Sequence, residues 1–311
     1  MKTPTFINIA GTFLTTAALL AGCGDAGSGT GTGKLSLGIT DAPVDNAEHV
    51  YIQFHGIELQ GGGTRTTLYY CQDAADASKT VVSSASCTTP AAPKQIDLLA
   101  MNSGLSDTLL DGYVLPAGDY SWMRLMVDTD AVHDSYIVAM GGTSYELTIP
   151  SGSETGLKLN RGFTIPVNGS ADFTIDFDLR KSVHVTGMGE YMLRPTLRLA
   201  DNMLVGAIAG SVAMSSVPSG CTPAVYVFTG AGVTPDDIDD IAPDPVTTAT
   251  VKLDSTSGEY RYKAAFLEAG DYTVAYTCQA LADDPATNDT LTFSGTTNVT
   301  VTAKTVSAQN F

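Results

Sequence analysis

Positive charge is scarce in this sequence: 16 lysines and arginines stand against 33 aspartates and glutamates, a formal net charge of −17 at pH 7. A surface this acidic has no basic patch with which to displace counterions, which excludes nucleic acid as a partner. It would also be repelled by anionic lipid except at an anchor of its own. Histidine is nearly missing, with His49, His55, His133 and His184 the full set. Neither a G-x-S-x-G elbow nor an H-E-x-x-H motif occurs, so the common hydrolase and zinc-protease signatures are out. No two cysteines stand at C-x-x-C spacing, which removes the usual zinc and dithiol motifs. Long apolar runs are missing as well. A spanning helix needs about 20 mostly apolar residues, and the 6–22 stretch is shorter and interrupted by Asn8, Thr12, Thr15 and Thr16.

What is present begins with LLAGCGDAGSGTGTGKLSLGIT, residues 19–40. It is glycine-rich but not a phosphate loop. That motif needs Gly five residues before its Gly-Lys pair and Ser or Thr directly after it; around Gly33-Lys34 those places hold Ser28 and Leu35. Lys2, an apolar middle and small residues ahead of Cys23 have the order of a secretory signal. Leu20-Ala21-Gly22-Cys23 resembles the bacterial lipobox. The resemblance implies a signal peptide over 1–22, diacylglycerol on the Cys23 thiol, and a flexible Gly/Thr/Ser tether over 23–33. Two or three acyl chains would hold the protein to membrane lipid, where one chain anchors only marginally. Gly24 rather than Asp after the cysteine points to the outer membrane of a Gram-negative bacterium, by the sorting rule of enteric lipoproteins.

Export favours disulfides. With Cys23 assigned to lipid, four cysteines remain, and they can pair in three ways. Cys71 and Cys87 flank the polar segment QDAADASKTVVSSAS, whose closure would contribute roughly 3 kcal/mol. Cys221 and Cys278 both lie in the last third of the chain and would staple that part.

From residue 34 onward the dominant period is two. Leu35, Leu37 and Ile39 alternate with other residues, as do Val50, Ile52 and Phe54. At Gly56 the phase shifts to Ile57 and Leu59, the mark of a bulge. Similar runs follow at 123–127, 145–149, 163–167, 173–179, 208–212, 260–266 and 272–278. The one helical candidate, QIDLLAMNSGLSDTLLDG, is short and interrupted by glycine. Many short strands with Gly, Pro, Asp and Asn between them predict an all-β chain of antiparallel β-sandwiches. LPAGDY (115–120) and LEAGDY (267–272) echo each other, each leading into an alternating strand. A Leu-x-x-Gly-x-Tyr turn resembles the tyrosine corner of immunoglobulin-like sandwiches. Two copies place one sandwich in each half, over 34–203 and 204–311, with VGAIAGSV opening the second.

LSLGITDAPVDNAEHVYIQFHGIEL, IDLLAMNSG, LPAGDYSWMRL, IPSGSETGLKL, FTIDFDLRKSV and YMLRPTLRL together resemble the bacterial lipoprotein family catalogued as domain of unknown function 4382. The resemblance spans residues 34–200 and implies an exported, lipid-anchored β protein of unknown activity. Residues 205–311 are more loosely similar to a carboxypeptidase-regulatory-like or transthyretin-like sandwich, through GAIAGSV and FLEAGDYTVAY. That similarity implies an accessory sandwich without catalysis of its own.

Three acidic stretches could carry chemistry. In DFDLRKS, Asp176 and Asp178 share one face of a strand and could bind a metal or act as an acid/base pair. Arg124 and Arg194 are the expected ion-pair partners if the role is structural. In ITDAPVDNAEH, Asp41 before Ala-Pro reads as an Asx-type turn, with Asp45 and Glu48 near it as further cation ligands. TPDDIDDIAPDP carries Asp236, Asp237, Asp239, Asp240 and Asp244 without EF-hand order; it reads as a solvated loop, with weak calcium binding as the rival. Calcium is the only cofactor these residues suggest. The leading functional expectation is a non-enzymatic envelope lipoprotein that binds a protein or glycan or serves structurally. A calcium-dependent surface adhesion module is the alternative, and a hydrolase built on Asp176, Asp178 and a distant histidine comes third.

Overall fold

Alternation alone accounts for most of the architecture. The protein, in a computed structural model, is described over residues 31–42, 47–129, 131–150, 152 and 156–311; Cys23, Asp45 and the expected signal peptide lie outside these. Strand Thr32–Ala42 buries Leu35, Leu37 and Ile39. It pairs in parallel with Ser170–Asp178, setting Leu37 opposite Phe173 and Ile39 opposite Ile175. Asp107–Pro116 and Leu197–Asp201 complete this four-stranded sheet. The facing sheet is organised on the long strand Ala47–Gly61, with Gly118–Val127, Thr64–Gln72, Lys94–Asp97 and Tyr136–Ala139 among its partners. Side chains from both sheets form one core from Leu35 to Leu199.

The second half repeats the plan with two four-stranded sheets. One holds Val205–Val212, Tyr260–Glu268, Lys252–Leu253 and Val306–Ala308; the other holds Ala224–Thr229, Thr247–Thr250, Gly270–Thr277 and Phe293–Val301. Its core runs from Ile208 to Val301. The fold is all-β, as the alternation predicts.

Several local expectations can be checked residue by residue. Between Phe54 and Gly56 the register against Val127 and Met126 slips by one residue, so His55 is the extra residue of a bulge. Gly56 is required there because a Cβ would lie 2.5 Å from the Leu68 carbonyl. The Tyr120 hydroxyl donates to the Pro116 carbonyl at 2.9 Å, and Tyr272 does the same to Glu268 at 2.8 Å. Both LxAGDY copies therefore close the same turn. Cys71 bonds Cys87 and Cys221 bonds Cys278. The helical candidate fails: Lys94–Asp97 is a strand, Leu98–Met101 a 3-10 turn, and Asp107–Pro116 a strand again. Its apolar run is too short to outcompete sheet pairing on both sides.

Strand Ala224–Thr229 is buried on both faces. Val225 and Val227 enter the second core, whereas Ala224, Tyr226 and Phe228 join Ile238 and Ala280 in a smaller cluster on the other side. Against this cluster the first half inserts one side chain. The one-turn helix Leu179–Ser182 follows Ser170–Asp178 and carries Arg180, which is 3% exposed. Its Nη1 donates to the Tyr226 hydroxyl at 2.9 Å and to the Ala280 carbonyl at 3.2 Å, and lies 3.8 Å from Asp283. The Tyr226 hydroxyl in turn donates to Asp283. Lys181 beside it bonds Asp244 and the Pro245 carbonyl. Residues 31–311 thereby form one compact unit, although their cores divide between Leu199 and Val205.

Two stability outcomes follow. Arg180→Met should cost roughly 3–5 kcal/mol, since it leaves Asp283 buried without its cation; urea unfolding measures it. Removing the Cys221–Cys278 bridge, which spans 57 residues against 16 for Cys71–Cys87, should cost roughly 4 kcal/mol against roughly 3. Paired Cys→Ser variants in the same assay test that order.

Candidate functional site

The bulge at His55 helps to build a concavity of the first sandwich. The extra residue turns the imidazole toward the end of Gly118–Val127, where its Nδ1 meets the Asp128 carboxylate at 2.5 Å. Beside them Gln53 donates to Asp134 at 2.8 Å. Across the gap the Cys71–Cys87 bridge holds its loop over Tyr69 and Tyr70. The result is a groove of about 590 Å³ lined by tyrosine and proline and by His55, Gln53, Asp128 and Asp134. No lysine or arginine is among its lining residues. Asp128 immediately follows the alternating run at 123–127, a position that gave no sign of its pairing with a bulge 73 residues away.

The acidic cluster lies at the opposite side of the same sandwich, where the first half meets the second. Asp176 and Asp178 do share one cavity, of about 350 Å³, with Lys181, Arg198 and Asp244 also in its wall. The partner of Asp176 is Arg198, whose Nε donates at 3.2 Å and whose Nη2 is closer still. Arg198 sits directly opposite Asp176 across the Leu197–Asp201 pairing. Arg124 instead holds Glu58 at 2.6 Å on the far sheet, again as a directly opposed cross-strand pair. Arg194 is exposed and enters through its backbone, donating to the Ser182 carbonyl. The expected partners are therefore replaced by Arg198 and Lys181, because register and not distance along the chain decides which charges meet. The cavity thus sets Arg198 against Asp176 and Lys181 against Asp244, with Asp178 turned to capping the helix.

Asp178 caps the Leu179–Ser182 turn by accepting the Lys181 amide at 3.2 Å. Burial raises its pKa to about 6, with Lys181 acting against the rise and Asp176 adding to it. Burial also raises Asp176, against the pull of Arg198. Asp41 is the outlier. It is 5% exposed, and among the described residues no well-formed hydrogen bond reaches either carboxylate oxygen. The residues that would complete the expected Asx turn, 43–46, lie outside the described ones. Burial first, and then the charges of Asp176 and Asp178, push its pKa well above the ordinary carboxylate value, while the Leu179 amide works in the other direction. Burial in that setting favours the neutral acid over the carboxylate.

The histidines are scattered. His49 contacts Asp97 at 2.6 Å, His133 lies 3.7 Å from Glu146, and His184 is on the short strand Val183–Val185. None is bonded to Asp176 or Asp178. The Asp-rich 234–245 stretch is not solvated throughout, because Asp237 and Ile238 are buried and Asp244 is taken by Lys181.

A folded-state pKa raised above the unfolded value stabilises fully at low pH, and that contribution is lost as pH rises through the folded pKa. For Asp178 the loss begins in the ordinary carboxylate range and is complete above about pH 6. Asp41 shifts in the same direction. Asp41→Asn fixes the neutral state, so it should raise Tm more at pH 8 than at pH 5. Thermal melts of both proteins at the two pH values test this; an equal shift at both would place Asp41 in an ordinary environment.

Among the described residues no helix is long and apolar enough to cross a membrane. Comparison with curated proteins gives no match. Among solved structures the chain is similar to a leucine-rich repeat protein of Bacteroides thetaiotaomicron at 14% identity and TM-score 0.20, over 90% of this chain and 26% of that one. It thus spans about a quarter of that protein's length. It is also similar to a minor pilin of Streptococcus agalactiae at 11% identity and TM-score 0.19, covering 89% of this chain and 94% of the pilin. A shaft pilin of Lactobacillus rhamnosus gives 10% and 0.18, over 90% and 97% of the two chains. Likenesses this slight assign no function. The family model described as Domain of unknown function (DUF4382) matches residues 32–195, more than half of the chain, and the protein belongs to that family.

Proposed function

We propose that the protein is a lipid-anchored envelope protein whose first sandwich binds a neutral glycan or an uncharged peptide segment without chemical turnover. The groove between the bulged strand and the disulfide-closed loop carries this reading. Tyr69, Pro90 and Pro93 in its lining offer apolar contact, and Gln53, Asp128 and Asp134 offer hydrogen-bonding groups. A tyrosine ring supplies a broad contact face at small entropic cost. With acids and no basic residue in the wall, an anionic ligand would find repulsion and no counter-charge. The lipobox-like Leu20-Ala21-Gly22-Cys23 supplies the anchor, and the acid-rich surface keeps the body off anionic lipid.

Binding of the full-length protein to arrays of neutral glycans and peptides tests the groove. Tyr69→Ala and Asp128→Asn should each weaken a captured ligand at least about tenfold, with Tm nearly unchanged; a ligand held equally by both variants would move the site elsewhere. The anchor is tested separately. Cys23→Ser should block incorporation of labelled glycerol and palmitate and shift the protein from the membrane to the soluble fraction. A variant that stays with the membrane would remove the lipid from the account.

A further inference from the structure

Asp237 is fully buried, yet its Oδ1 has no hydrogen-bond partner. A buried carboxylate oxygen left bare is strongly unfavourable unless a proton or a cation meets it. Two more carboxylates stand close by. One oxygen each from Asp237, Asp283 and Asp289 lies within 4.8 Å of the others. Calcium takes oxygen ligands at about 2.3–2.6 Å, so two ligands on one ion can stand up to about 5 Å apart. The spacing is within the span one calcium ion can bridge. Magnesium, at about 2.0–2.1 Å and in near-ideal octahedral geometry, is held less readily by an all-protein carboxylate cage.

The surroundings hold these carboxylates in place. The Asp289 amide donates to Asp237 Oδ2, and the Ile238 amide donates to Asp283 Oδ1 at 3.2 Å. The Asp284 amide and the Thr287 hydroxyl both donate to Asp289 Oδ2, at 2.8 and 3.2 Å. Every one of these donors is neutral, so none offsets the accumulated charge. Among the described residues Arg180, 3.8 Å from Asp283, is the cation paired with the cluster. Three carboxyl groups gathered against one guanidinium give the site more acid than base, as a divalent cation requires. Asp289 is only half-buried, which gives the ion a way in from solvent.

We propose that Asp237, Asp283 and Asp289 form a calcium site that clips the 230–246 loop to the 279–292 loop beside the Arg180 junction. The site stands apart from the groove of the first sandwich and does not depend on what that groove binds. Because Asp283 serves both Arg180 and the ion, calcium tightens the loops that receive the first half of the molecule.

Melting of the full-length protein tests it. Calcium at about 5 mM, several times the 10⁻⁴–10⁻³ M dissociation constants of extracellular sites, should raise Tm by about 2–9 °C over EDTA. Magnesium should do less. Asp237→Asn keeps an acceptor for the Asp289 amide and should reduce the calcium response at least about tenfold in apparent affinity. Asp289→Asn, at the exposed edge, should do the same without threatening the fold. Terbium in place of calcium should luminesce through energy transfer from Tyr226, whose hydroxyl bonds Asp283. Asp176→Asn should leave all of these responses intact. The proposal is overturned if calcium does not raise Tm, if magnesium matches it, or if both variants keep the full response. Loss of the response in Asp176→Asn would overturn it too, by putting the ion in the first sandwich.

Discussion

A buried guanidinium anchors the contact between the molecule's two cores. Lys181–Asp244 and Arg161–Glu268 are further links between the halves, while Arg180 reaches from a one-turn helix into a cluster built on Tyr226 and Ala280. Such a residue tolerates few alternatives. Its fork meets a hydroxyl, a carbonyl and a carboxylate from separate segments at once, which a lysine ammonium on a flexible stem does not reproduce. The turn that delivers it is itself secured. Asp178 caps the turn, and the Ser182 hydroxyl donates to the Asp178 carbonyl while accepting the Thr196 amide at 2.8 Å. The orientation of one half on the other is thereby written into four consecutive residues, Leu179–Ser182.

Much of this was legible in the sequence, and for a common reason. Alternation, the phase shift at Gly56, the two LxAGDY turns and the spacing of the cysteines are all local signals, and each became the expected local structure. The failures are of two kinds. The 95–112 stretch has an apolar pattern compatible with a short helix, and only neighbours in the sheet, Ala47–Gly61 and Thr32–Ala42, resolve it into strands. The ion pairs failed because they depend on register between distant strands. Asp176 with Arg198 and Glu58 with Arg124 are both directly opposed cross-strand pairs, and no spacing along the chain encodes that.

The same distinction explains the candidate sites. The bulge was visible, but its consequence, His55 set against Asp128, needed the partner strand. The Asp-rich 234–245 stretch looked like solvated loop because Pro and Asp dominate it. Ile238 is the residue that contradicts that look: it buries itself in the cluster with Tyr226 and Phe228, and it takes Asp237 in with it. Ile241, three residues on, stays exposed, so composition alone does not say which part of the loop turns inward.

Charge then accounts for why the junction is polar at all. The chain carries twice as many acids as bases, so self-repulsion opposes bringing the two halves together. Three of its cations, Arg180, Lys181 and Arg198, are placed at or beside that seam, each against an aspartate. A wholly apolar seam would have been no harder to bury, but it would have left Asp176, Asp244 and Asp283 to repel one another across it. Arg198 faces Asp176 and Lys181 faces Asp244 on the side of the first sandwich. On the other side Arg180 stands against Asp237, Asp283 and Asp289. A divalent cation beside Asp283 would complete the pattern that the lysine and arginines begin.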